Sequence, residues 1–519
     1  MGKPKKRYID VETFKEKLEL INLNKVNKFV KDEMLLLSDE NEERIMNLIL
    51  RYNIDIGILL LASYRYNNDN IFKMLMTMNV DINKINKYGY THLLAACSHG
   101  KYESVELLLK NSNVDINKEN EYGDFPLLEA CINKKYSIIK LLLTRKEIDV
   151  NKCNKDGWTP LMEICKIGKY NIFRMLLNRC EINVNFIDSY GFTALMLACI
   201  HNRYRIVNKL LTYPQIDVNI VDRHKRTALM FACYCGHVKI VRLLLNHSKI
   251  DVNISDNDLS TALMISCNVK NHKVVKLLLT DPRVDVNKSN INGFTALMLS
   301  RDYEVAKLML SVPNIDINKT NNYHYTALGL RIISQNFKVA SLFIEREDLD
   351  ITICDKHKRT YLCSLCKLLK VEEQYGTLCE MIKTLIEKTK IDVNKKDIHG
   401  NSPLSLACYH KCYPVVELLL MNNNINMYTD LRLSVFVTRD IFHYLYTSGD
   451  RDIIKLLMSL DYDHSKNYIV YDDDDMKYFN NFIGSKEYLE LKYKLNIWRA
   501  GEIYTMVRYI KYNHLKIKY

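Results

Sequence analysis

Proline and glycine are scarce: 8 and 16 residues of 519, and tryptophan occurs twice. So little turn and breaker composition leaves little room for long disordered linkers. Long apolar runs are missing too, since nothing approaches the roughly 20 apolar residues that span a bilayer; the best stretch, Ile58 to Ala62, reads as part of a capping helix. There is no Gly-rich phosphate loop, no metal-spaced His/Glu set and no nucleophile phrase, and the 14 histidines are scattered. Catalysis therefore finds no footing, and no cofactor or small-molecule substrate is expected. What remains, 48% apolar and 26% charged, fits a folded chain.

What the chain has is a period. Asp81-Ile-Asn83 returns as Asp115-Ile-Asn117, Asp149-Val-Asn151, Asn183-Val-Asn185, Asp217-Val-Asn219, Asp251-Val-Asn253 and Asp285-Val-Asn287, always 34 residues on. A fixed repeat of this length marks a solenoid whose units bury their apolar faces only against neighbours. Ten residues after each anchor comes a Thr-x-Leu phrase, as at Thr159 with Leu161 and Thr193 with Leu195. Thr there can accept a hydrogen bond from an orphan N–H, and Pro126, Pro160 and Pro403 stand where a first helical residue needs no N–H, so the phrase opens a helix. A second helix follows a polar break and carries Val105-Leu108-Leu109 or Val241-Leu244-Leu245 at helical spacing.

Between anchor and helix, one apolar residue flanked by polar ones suits a brief extended finger. Gly89, Gly123, Gly157, Gly191, Gly293 and Gly400 fall eight residues past an anchor, where a positive φ is required. Lys225, Leu259, His324 and Lys358 break that rule, so those four turns are expected to be strained or differently shaped.

Of the fifteen cysteines, Cys97, Cys131, Cys165, Cys199, Cys233, Cys267, Cys366 and Cys408 lie six residues past a helix opening, a small-residue core position. They read as reduced, buried thiols that fit a cytosolic protein. Cys363-x-x-Cys366 is the best metal lure, yet both occupy packing positions of one helix, so no metal site is expected. The net charge of +13 is spread along the chain, and Lys84, Lys118, Lys152, Lys288, Lys319 and Lys395 share the position after the anchor. A ladder of that kind reads as a solvated face, and direct nucleic-acid binding is not expected. The cluster Lys3-Pro4-Lys5-Lys6-Arg7 could serve as a nuclear address. Asp10 and Glu12 follow it directly, against a secretory signal, and Lys6 stands where a myristoylation signal wants Ser or Thr. An intracellular protein without membrane attachment is expected, cytoplasmic or nuclear.

Finger, helix, tight turn, helix in about 33 residues resembles the ankyrin repeat, whose opening phrase is T-P-L-H-x-A. Thr159-Pro160-Leu161-Met162 and Thr193-Ala194-Leu195-Met196-Leu197-Ala198 carry the resemblance, which runs from about Ile54 to Leu460. One departure is consistent: Met162, Met196, Met230, Met264 and Met298 stand where the family has His, so its hydrogen bonds between units must be replaced by apolar packing. The T-A-L-M-x-A-C wording is similar to the large ankyrin paralogues of giant amoebal DNA viruses. The resemblance implies an all-α repeat solenoid with short β-hairpin fingers and helical caps. Its expected parts are a helical cap over 1–53, a degenerate first unit over 54–80, ten repeats over 81–426, a degenerate last unit over 427–460 and a helical segment over 461–519. Two spacings depart: the 285 to 316 unit is three residues short near Ser300-Arg301-Asp302, and the 350 to 392 unit is eight residues long near 371–377.

The implied function is non-catalytic capture of a host or viral protein. The alternative is an adaptor that delivers a bound protein to a ubiquitin ligase through 461–519; poxviral relatives end in an F-box-like segment, but no Leu-Pro opening of that kind is found here. For the contact surface, the finger position that holds Lys in six units holds Phe186, Ile220, Ile254 and Ile353 in the others. The first three are consecutive and flanked by Lys152 and Lys288, which predicts an apolar strip rimmed by charge.

Overall fold

A computed structural model describes residues 81 to 425, apart from 86–88, 370–374, 389–390, 411, 421 and 423. The N-terminal cap, the degenerate units and the C-terminal segment expected from the sequence lie outside the described residues. Among the described residues ten helix pairs follow one another, from His92–His99 with Tyr102–Lys110 to Pro403–Tyr409 with Tyr413–Leu420. They fall in two compact units: the described residues up to Ala232 with Arg242–Ile250, and Cys233–Val241 with those from Asp251 onward. Within each unit first helices pack on first helices and second on second.

The helix openings form as the Thr-x-Leu phrase predicts. Thr159 and Thr193 have extended backbone, and their hydroxyls accept the Met162 and Met196 N–H at 3.2 Å. Where Phe125 replaces Thr there is no such bond, and Pro126 at the first helical position removes one of the N–H groups that would need it. The first helices are buried nearly all round. Met162, Met196, Met230, Met264 and Met298 are all buried, so apolar packing does occupy the family's His position. The second helices are amphipathic, with Ile172, Phe173, Leu176 and Leu177 inside and Asn171 and Arg174 outside.

The described residues contain no β-strand; the expected hairpin fingers reduce to two single antiparallel bridges, Ser255 with Thr261 and Ser289 with Thr295. Another device shapes the finger. Asn120 accepts the N–H of Tyr122 at 2.9 Å and of Asp124 at 2.8 Å, and Asp188 accepts those of Tyr190 at 2.9 Å and Phe192 at 2.7 Å. A buried Asn or Asp thus brackets the turn from within.

The short and long units show how irregular spacing is absorbed. In the short one the first helix is only Ala296–Leu299, and Asp302 opens the next helix by accepting the N–H of Glu304 and Val305. The buried Arg331 guanidinium of the following repeat donates to the Met298 carbonyl at 2.7 Å, a group that the truncated helix leaves without its usual partner. In the long unit the second helix grows to twelve residues, Tyr375–Ile386.

Candidate protein-binding surface

The anchor triplet works as a clamp between repeats. Asn83 donates through Nδ2 to the Asn113 carbonyl at 2.7 Å, and its Oδ1 accepts the Asp115 N–H at 2.8 Å. Asn117 does the same with Glu147 and Asp149, and Asn151 with Glu181 and Asn183. Despite the shortened unit, Asn287 still reaches the Asn314 carbonyl at 2.7 Å and the Asp316 N–H at 2.8 Å. Only one anchor between 81 and 392 ends in Thr. There Thr352 turns its hydroxyl back to Asp350 at 2.6 Å instead of reaching the next repeat. The clamp fixes the path of the chain into each finger, and so where the next residue projects.

That next residue is the strip position. Phe186 and Ile220 in the first unit and Ile254 in the second are each half-buried. Greater exposure falls one residue later in the first unit, at Ile187 (52%) and Val221 (37%). Tyr190, 46% exposed at the finger tip, has the Arg223 guanidinium over its ring at 3.9 Å. The sequence reading missed Ile187, Val221 and Tyr190; the signal was available as a second apolar residue beside the strip position in those two fingers.

The lysines beside the strip are not a loose solvated rim. Lys152 pairs with Glu119 at 2.8 Å and lies 5.9 Å from the Phe125 ring. Lys288 donates to the Asn253 carbonyl at 2.8 Å, and Lys319 to the Asn287 carbonyl at 2.7 Å. A lysine stem spans one repeat, so the ammonium reaches an otherwise unused carbonyl of the finger before it. Lys152 and Lys288 thus each tie a finger to the one before it.

The two cysteines of the metal lure are packing residues. Cys363 and Cys366 are buried, Cys363 donates to the Lys395 carbonyl at 3.2 Å, and burial pushes its thiol up to about 11. Cys233 and Cys267 are pushed up to about 12 by the same desolvation. Among the described residues no three His, Cys, Asp or Glu side chains gather as a metal site, and no helix is long and apolar enough to cross a membrane.

A family model of ankyrin repeats in three copies matches residues 58–152, 127–222 and 215–290, and a single ankyrin repeat model matches 399–430. The chain belongs to the ankyrin repeat family. Among solved structures, the ankyrin repeat domain of Bcl-3, a unique member of the IkappaB protein family, is 24% identical, with a TM-score of 0.39 over 43% of this chain and 100% of that one. No curated protein matches. Ankyrin repeats are interaction modules that typically lack enzymatic activity, and this ankyrin array presents its variable side chains on fingers whose backbone is held by repeated ones.

Proposed function

We propose that this ankyrin protein is a non-catalytic scaffold that captures a host or viral protein partner, with the finger residues Phe186, Ile220 and Ile254 at the centre of the contact and Lys152 and Lys288 beside it. The observation that carries this reading is the clamped finger. Asn151 holds the backbone at Glu181 and Asn183, and Asn185, the residue before Phe186, donates to the Gln215 carbonyl of the next repeat, so the chain path into the finger is set before any partner arrives. Rigid presentation lowers the ordering cost of association, and large apolar groups supply most interface energy. Ile187, Val221 and Tyr190 extend the apolar part of the surface in the first unit. The reduced-cysteine register and the basic start support an intracellular setting, and the Met-for-His wording supports an origin near the viral ankyrin paralogues. Adaptor delivery to a ubiquitin ligase would depend on 461–519, outside the described residues.

The test is affinity purification of the tagged full chain from its native host cell, with and without Phe186→Asp, Ile220→Asp, Ile254→Asp. The triple change should abolish partner capture while helicity is kept. Because these side chains are half-buried, Ile187→Asp with Val221→Asp serves as a gentler variant that should weaken capture without lowering the melting temperature. Capture that survives both variants would place the contact elsewhere.

A further inference from the structure

The turns and second helices of five consecutive repeats, 133–144, 166–178, 201–212, 235–247 and 269–280, carry charge of one sign, and the first three segments lie in the first unit. Residues 133–144 contain Lys134, Lys135 and Lys140; 166–178 contain Lys166, Lys169 and Arg174; 201–212 contain Arg203, Arg205 and Lys209; none of the three segments contains Asp or Glu. Over the whole chain basic and acidic residues stand at 74 to 61, so this is local segregation and not the net charge showing through. The preceding repeat differs, with Glu103 and Glu106 exposed on its second helix. Lys166 turns inward to Glu163 at 3.1 Å, while none of the other eight has an ion-pair partner among the described residues.

These cations share one edge and one helical face. Lys169 lies over the Tyr136 ring of the preceding repeat at 4.6 Å, and Arg205 over the Tyr170 ring at 5.3 Å. Arg203 runs across Gly168, where an added Cβ would meet its Cδ at 2.6 Å, and donates to the Lys166 carbonyl at 3.0 Å. Basic side chains of one repeat are therefore packed against the repeat before it, which sets their positions. Further along, Lys140 and Arg174 occupy matching outward positions of second helices whose other face is buried, and Lys209 is exposed on the next. The pKa of His201 at the turn is lowered from the ordinary imidazole value, chiefly by partial burial, with Arg203 and Lys166 adding to it.

We infer that this edge of the first unit is a second protein contact, which takes an extended acidic peptide segment of a partner running across the repeats. The inference rests on the scaffold reading and adds the chemistry of one contact. Packed helices stand about 8–10 Å apart, and a peptide in the extended polyproline II conformation advances about 3.1 Å per residue with about three residues per turn, so carboxylates at every third position share one face and meet one basic cluster per repeat. A cation over the ring of Tyr136 and of Tyr170 takes one stacking face from each, which disfavours single-stranded nucleic acid at those two positions.

The probe is a fluorescent synthetic peptide of about 18 residues with Glu at every third position among Ser and Gly, titrated against the full chain by anisotropy. Binding should weaken as salt rises, and a peptide of the same composition with its Glu in one block should bind less tightly. Lys140→Glu, Arg174→Glu, Lys209→Glu should lower affinity by at least about tenfold with helicity unchanged, since repulsion replaces attraction at exposed sites. Lys110→Glu, Lys146→Glu, Lys155→Glu, an equal charge change outside these segments, should leave affinity within about twofold of the parent. Equal loss in both triples would reduce the effect to net charge and overturn the inference. So would tighter binding of a single-stranded oligonucleotide or of phosphatidylserine vesicles, lost with the same three changes. If the peptide fails to bind while the cellular partner is still captured through the fingers, the acidic contact falls and the scaffold reading stands; if the peptide binds but no partner protein is ever captured, the reverse holds.

Discussion

Glu129 is a carboxyl group with only 7% of its surface exposed, inside a first helix where most repeats place an apolar residue. Ser98 Oγ donates to its Oε1 at 2.8 Å and Asn133 Nδ2 at 2.9 Å, yet desolvation outweighs both bonds and pushes its pKa up to about 7. The sign of the stability effect follows. Below pH 4.5 folded and unfolded chains both hold the proton; between 4.5 and about 7 the unfolded chain gives it up first, so stability falls as pH rises and the loss is complete above 7. Its size is on the order of 3 kcal/mol. Glu129→Gln should therefore leave thermal melting nearly unchanged at pH 4 and raise it by several degrees at pH 8. Equal shifts at both values would show that the carboxylate carries no burial penalty. Glu163, in the same register one repeat later, differs in having Lys166 at 3.1 Å and the Trp158 indole N–H at 3.0 Å as partners.

At the scale of the element, the finger turn keeps one geometry whatever residue occupies it. Gly157 and Gly191 have φ of 75° and 82°, and a Cβ on either would meet the next finger's backbone at 2.8 and 2.7 Å. Leu259 nonetheless takes φ of 58° and closes the same turn, its N–H donating to the Asp256 carbonyl at 2.9 Å. The exceptional fingers are thus strained, not reshaped. Lys225 and Lys358 are each followed by an Arg that grips the buried Asp of its own finger, Arg226 to Asp222 and Arg359 to Asp355, both at 2.7 Å; Leu259 is followed by Ser260. Left-handed backbone costs a non-glycine residue about 1–2 kcal/mol, and the entropy of a glycine takes back about half of that. Leu259→Gly should therefore raise stability by about 0.5–1 kcal/mol, read as a higher denaturant midpoint at unchanged slope. A lower midpoint would mean that the leucine side chain makes contacts worth more than the strain.

The same fingers show what the sequence could and could not disclose. Thr159 and Thr193 announced their helices because a cap acts within three residues, and the cysteine register announced burial because helical spacing is local. The bracketing Asn120 and Asp188 recur five residues past every anchor and were equally readable, but the Gly eight past it drew attention instead. Lys288 was misread as solvated because its partner, the Asn253 carbonyl, lies a full repeat away, and single-repeat patterning says nothing of that offset. The all-basic second helices were likewise in plain sight, but only lining up the repeats separates them from a net charge of +13.

At the scale of the molecule, among the described residues of each unit, the contacts between repeats run from each one to the next. First helices touch first helices, the anchor asparagines span one repeat, and Arg145, Arg179 and Arg346 donate to the carbonyls of Leu109, Arg145 and Leu310, each one repeat back. Stability in such a chain is a sum of unit and nearest-neighbour terms, so damage should stay near where it is made. Leu195, 1% exposed at the opening of a first helix in the first unit, provides the test. Leu195→Ala should cost about 2–5 kcal/mol, because the removed methyls leave a cavity between helices that can only partly close. Hydrogen exchange should then speed up in Ala194–Ile200 and in the neighbouring helices Pro160–Ile167 and Tyr204–Leu210, while Ala327–Ile333 and Phe337–Ile344 of the second unit keep their protection. Uniform loss of protection across all of these helices would mean that the repeats unfold as one cooperative body, and that the local clamps described above do not set the stability of the array.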